Sequence, residues 1–84
     1  MSSLLYLQIR NEEGALERVL RTTRHRGFQL ESVNVQTARN PELFDVTLRV
    51  ASERPVSFLS RQFDKLFDVV AVTELREAEY AVSA

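Results

Sequence analysis

Residues 33–51 run Val33-Asn34-Val35-Gln36-Thr37-Ala38-Arg39-Asn40-Pro41-Glu42-Leu43-Phe44-Asp45-Val46-Thr47-Leu48-Arg49-Val50-Ala51. The second half alternates cleanly. Phe44, Val46, Leu48 and Val50 fall on one side, and Asp45, Thr47 and Arg49 on the other, which is the period of a half-buried strand over 43–51. Val33, Val35 and Thr37 share one face of an earlier strand, read over 28–38, with Asn34 and Gln36 on its other face. Only Arg39-Asn40-Pro41 separates the two runs, so they form an antiparallel hairpin.

A helical pattern flanks this hairpin on each side. Before it, residues 15–26 carry Leu16, Val19, Leu20 and Thr23 at the spacing of a buried stripe. Glu17, Arg18, Arg21, Arg24 and His25 fall on the wet side, and Gly27 ends the helix in a left-handed conformation. After it, Val56, Leu59, Phe63 and Leu66 mark a second helix over 55–67, with Pro55 in its first turn. Beyond the helices lie two more strands. Residues 4–10 place Leu5, Leu7 and Ile9 on one face and Leu4, Tyr6, Gln8 and Arg10 on the other; residues 69–75 are Val-Val-Ala-Val-Thr-Glu-Leu. The order β-α-β-β-α-β is two split β-α-β units, an α+β ferredoxin-like sandwich. Its antiparallel sheet carries both helices on one face and leaves the other open. The domain is read as residues 4–76, and 77–84 as a C-terminal tail.

The remaining composition narrows the function. The chain has 84 residues, 44% hydrophobic and 27% charged, as expected of one folded soluble domain. Eleven basic residues face twelve acidic ones for a net charge of −1, which argues against a duplex nucleic acid or an anionic membrane as partner. There is no cysteine, hence no disulfide and no thiolate metal site, and the single histidine, His25, excludes a multi-histidine site. No apolar run approaches the roughly 20 residues of a membrane span. Met1-Ser2-Ser3 has no basic leader, so a cytoplasmic protein is expected. A domain this small, without disulfide or metal, gains core by oligomerising.

Catalytic chemistry is nearly absent. None of the serines sits beside His25, and no glycine-rich nucleotide fingerprint occurs. Glu12 and Glu13 are adjacent carboxylates at a helix start, where the helix dipole favours negative charge. An acylphosphatase would need a phosphate-cradling loop, and Asn11-Glu12-Glu13-Gly14 is too acidic for that. RNA-recognition modules of this fold stack bases on exposed aromatics, and only Tyr6 is expected on the open face. The arginines of the first helix are either a solvated face or a docking patch for an acidic partner. The strand–turn–helix passage Asn11 to Leu16 is either a plain turn or a receiver for a ligand carboxylate. In the second reading Gly14 lets the backbone approach the ligand and Asn11 both donates and accepts.

The string Asn11-Glu12-Glu13-Gly14-Ala15-Leu16-Glu17-Arg18-Val19 resembles the opening motif of ACT domains. Arg26-Gly27-Phe28-Gln29-Leu30-Glu31-Ser32-Val33-Asn34-Val35 is similar to the second-strand motif of acetolactate synthase small subunits, and Lys65-Leu66-Phe67-Asp68-Val69 continues the likeness. The stretches at 17–21, 24–28 and 50–52 are similar to the short, isozyme II-like form. The resemblance implies a non-catalytic regulatory subunit that activates the acetolactate synthase catalytic subunit in branched-chain amino acid synthesis. Thiamine diphosphate, magnesium and FAD then belong to the catalytic partner, with no cofactor in this chain. It also implies a homodimer formed side by side, with an amino acid effector such as valine at the junction. Asn11, Gly14, Ala15 and Leu16 would come from one chain and Gln29 and Leu30 from the other. Valine-sensitive members usually place Asn where Gln29 stands, so the resemblance leaves the effector open. Arg18, Arg21 and Arg24 are candidate contacts to the catalytic subunit. A free-standing ACT dimer that senses an amino acid for another enzyme is the alternative.

Overall fold

In the computed structural model, which describes residues 2–75, Val46, Leu48 and Val50 of the central hairpin are buried, as their alternation requires. The elements are β1 (Ser2–Arg10), α1 (Ala15–His25), β2 (Gln29–Thr37), β3 (Leu43–Ala51), α2 (Val56–Asp64) and β4 (Val69–Leu75). The sheet order is β2-β3-β1-β4, every pairing antiparallel, with β2 and β4 as the edges. This is the expected ferredoxin-like arrangement. The proposed tail, 77–84, and Arg76 lie outside the described residues.

The register explains the core. Leu5 pairs with Leu48, Leu7 with Val46 and Ile9 with Phe44, so the apolar residues of β1 and β3 stand side by side under the helices. Val19 of α1 and Leu59 and Phe63 of α2 close over them, and Phe28 joins the same cluster. The α1 stripe is centred one residue away from the expected one. Ala15, Val19 and Thr23 are buried, whereas Leu16 and Leu20 are half-buried against the core. Thr23 is tolerated there because its hydroxyl donates to the Val19 carbonyl, 3.0 Å away. The helix ends in a Schellman arrangement. Gly27, at φ 86°, donates to the Arg24 carbonyl, and the Phe28 amide donates to that of Thr23. In α2, Pro55 precedes the helix with extended ψ, and the helix stops at Asp64, short of the expected 67.

Two departures shape the surface. Val33 and Val35 share one face, and the register puts it on the helix side with Leu48 and Val46, yet they remain 41% and 37% exposed. They lie on an edge strand that the two helices leave uncovered. A bulge between Leu30 and Ser32 also shifts the register, which sets Leu30 opposite Val50 and so on that same face. Leu4 alternates onto the opposite face from Leu5 and is nonetheless buried, apart from the main core. On that face Tyr6 donates to the Asp45 carboxylate over 2.6 Å, and Gln8 reaches the same oxygen. Burial first, and then the Asp45 carboxylate, push the Tyr6 hydroxyl above its ordinary pKa.

Candidate functional site: the turn between β1 and α1

β1 delivers Asn11 to the end of the sheet beside the β2–β3 hairpin. The Asn11 amide donates to the Glu42 carbonyl over 2.8 Å, and its side-chain Nδ2 donates to that of Pro41 over 3.1 Å. The turn is therefore fastened to the hairpin by both its backbone and its side chain. The Glu12 amide donates back to the Arg10 carbonyl, and the Ala15 amide to that of Glu12. Gly14 follows at φ 85° as the N-cap of α1, and no side chain caps the helix. The first turn of a helix has orphan amides and a partial positive charge, so an uncapped start is open to a carboxylate. A cleft of about 550 Å³ adjoins it, lined by Arg10, Asn11, Glu12, Asn40, Pro41 and Val70 among others.

The far side of the turn is held by a carboxylate that sequence patterning does not single out. Asp68, in the turn before β4, is only 5% exposed. Arg18 reaches it with two donors: Nε to Oδ2, and Nη2 to Oδ1 over 3.2 Å. The Arg10 amide donates to the Asp68 carbonyl over 2.8 Å. The Arg10 side chain donates to the Phe67 carbonyl and stacks 4.5 Å from the Phe67 ring centroid. A Cβ on Gly14 would lie 3.1 Å from Arg18 Nη1, so the glycine and the ion pair occupy adjoining space. The hydrogen bond from Arg18, reinforced by the charges of Arg18 and Arg10, holds the Asp68 carboxyl below its ordinary pKa against the opposing effect of burial.

A folded-state pKa below the unfolded value contributes stability above the ordinary carboxylate range, and that stability is lost as pH falls through the folded value. Thermal melts from pH 7 down to pH 2 are therefore expected to fall more steeply for the wild type than for Asp68→Asn below about pH 4. Parallel curves for the two proteins would remove Asp68 from the acid response.

The six expected site residues do not converge within one chain. Asn11, Gly14, Ala15 and Leu16 lie at the end of the sheet marked by the Arg10–Leu43 pairing. Gln29 and Leu30 pair with Ala51 and Val50, at the end where β1 begins. Ala15 is buried, Leu16 and Leu30 are half-buried, and Asn11 and Gln29 are exposed. The three expected docking arginines also separate. Arg18 is committed to Asp68, whereas Arg21 and Arg24 are exposed and make no ion pair among the described residues. Among the described residues no cluster of three metal-ligating side chains occurs. No helix of the described residues is long and apolar enough to cross a membrane.

Fold and turn together define a class: a small α+β domain with an open sheet edge and an uncapped, glycine-started helix beside a cleft. The chain belongs to the ACT domain family, whose model matches residues 11–72. It is 47% identical over 57 residues to the acetolactate synthase isozyme 2 small subunit of Escherichia coli, covering 68% of this chain and 66% of that protein. It is 33% identical over 81 residues to the isozyme 3 small subunit of the same species, covering 95% of this chain and 50% of that one. The chain thus spans between one half and two thirds of these relatives. Among solved structures, the acetolactate synthase small subunit from Thermotoga maritima superposes with a TM-score of 0.82 at 24% identity, covering 92% of this chain and 48% of that one. The ACT domain from GTP pyrophosphokinase of Chlorobium tepidum gives 0.75 at 12% identity, covering 89% and 97%. These two likenesses bear on the fold.

Proposed function

We propose that this chain is a regulatory small subunit of acetolactate synthase, with an ACT domain over residues 4–76. It binds the catalytic subunit and raises its activity in branched-chain amino acid synthesis. The chain itself performs no chemistry, and thiamine diphosphate, magnesium and FAD belong to the catalytic partner. The observation that carries this reading is the 47% identity to an isozyme 2 small subunit. It acts by favouring the active conformation of its partner, a population shift that needs only a difference in affinity between two states.

In the same reading the chain works as a homodimer joined through β2. That strand is an unpaired edge, its residues 31–37 are all exposed, and Val33 and Val35 lie bare on the helix side. An exposed apolar edge is a template for pairing with another strand. Antiparallel pairing of two β2 strands across a two-fold axis brings Gln29 and Leu30 of one copy toward the Asn11–Leu16 turn of the other. The effector is a free amino acid whose carboxylate meets the α1 amides. Gln29, longer by a methylene than the Asn of valine-sensitive relatives, alters the polar half of that pocket.

Titrating the chain into the catalytic subunit and measuring acetolactate formation, with and without valine, tests the function. Saturable activation is expected. Absence of both activation and co-elution overturns it and leaves an ACT dimer serving another enzyme. For the dimer, Val33→Lys/Val35→Lys is expected to sediment as a monomer where the wild type sediments as a dimer, because two like charges would then face their copies across the edge. Equal sedimentation of the two proteins rules out β2 as the joint.

A further inference from the structure

The outer face of α1 carries Arg21, Arg24 and His25, at spacings of three and four residues, with Arg26 immediately after. All four are exposed, and none makes an ion pair among the described residues. Residues three and four apart are neighbours on a helix, so the guanidinium groups of Arg21 and Arg24 repel one another. Glu17, one turn before Arg21, does not close on it. Arg39 and Arg61 are likewise exposed and without an ion pair among the described residues, but each is the only arginine of its stretch, whereas three other arginines have internal partners. Arg18 is held by Asp68, Arg10 lies over Phe67, and Arg54 lies over Phe58. The negative end of the helix dipole offsets part of the repulsion on the ridge. The rest is left for something outside the chain.

We propose that Arg21, Arg24, His25 and Arg26 form a docking ridge for an acidic surface on the catalytic subunit. This rests on the regulatory-subunit reading above. Complementary charge is the chemistry that recognises the partner: exposed guanidinium groups take carboxylates in bidentate pairs. A protein surface fits better than a nucleic acid. The chain as a whole is at −1, so no broad positive field surrounds the ridge, and the described aromatic with most exposure, Phe67, lies in the turn before β4 rather than on α1. The ridge also shares a rigid element with the proposed effector turn. Gly14 starts α1 and the ridge ends it, eleven residues or about 16 Å away. A shift of the helix start on ligand binding thus moves the docking surface.

The test compares activation of the catalytic subunit by wild type, Arg21→Glu/Arg24→Glu, and the matched control Arg61→Glu/Lys65→Glu at the C-terminal end of α2. The ridge variant is expected to need about tenfold more protein for half-maximal activation and to lose most of the salt dependence of association. The control is expected to stay within about twofold. Circular dichroism and sedimentation of each variant alone monitor fold and oligomeric state. Wild-type activation with an unchanged ridge variant overturns the ridge and leaves the function standing. So does a ridge variant whose defect is a changed oligomeric state, or one that loses a nucleic acid instead of the enzyme. A wild type that neither activates nor binds overturns the function itself, and the ridge falls with it.

Discussion

Phe63→Ala is expected to remove a large share of the domain's stability and to lower its melting temperature markedly. Phe63 is fully buried and is the largest such side chain among the described residues. With Leu59 it is one of two buried anchors of α2, and both belong to the main core. Truncating a buried phenylalanine costs about 3–5 kcal/mol, because transfer energy is lost and the cavity collapses only in part. A domain of this length has about 4–13 kcal/mol of total stability at ~0.05–0.15 kcal/mol per residue. No disulfide or dense metal cluster among the described residues supplements it. The melting temperature is expected to drop by roughly 12 °C or more. Phe63→Leu, which keeps most of the volume, is expected to lose much less. Melting curves followed by circular dichroism decide. A fall under about 5 °C for the alanine variant would mean that the helix layer is seated mainly by other contacts.

The same core shows how much of the fold is legible in the sequence. Alternation in β1 and β3 identified every helix-side residue correctly, since both are central strands with one buried face. At the edges the pattern is a weaker guide. Val33 and Val35 have the spacing of buried residues, but a strand's position in the sheet decides whether a helix covers it, and position is not a local property. The bulge beside Glu31, which turns Leu30 to the face of Val33, leaves no mark in the spacing of apolar residues. In the candidate site the Asn11–Leu16 turn is legible through its glycine and the helix that follows. Its anchor is not. Position 68 is fifty residues from Arg18, and nothing local tells a solvated aspartate from one that receives a two-donor arginine. The ion pair also divides the arginines of α1, which look equivalent on a helical wheel, into one that fastens the turn and others that stay exposed.

That division sets up the second large effect, at Gly14. Gly14 and Gly27 have nearly the same backbone, at φ 85° and 86°. A left-handed conformation costs an ordinary residue about 1–2 kcal/mol, and a β-branched one is a genuine outlier there. Gly14→Val and Gly27→Val thus share the backbone term. They differ in their surroundings: a Cβ at Gly27 meets nothing within 4 Å, whereas at Gly14 it meets Arg18 Nη1 at 3.1 Å. Gly14→Val is therefore expected to be the more destabilising of the two. It is also expected to raise the concentration needed for half-maximal activation by pushing Arg18 off Asp68 and loosening the start of α1. An Arg18→Ala background separates the causes, because neighbouring substitutions that share a partner do not add. If the guanidinium is the obstacle, the excess of Gly14→Val over Gly27→Val shrinks toward zero in that background, while the shared backbone term persists. An undiminished excess would place the strain in the turn itself. Arg18 would then hold Asp68 without governing the shape of the turn that the effector is proposed to meet.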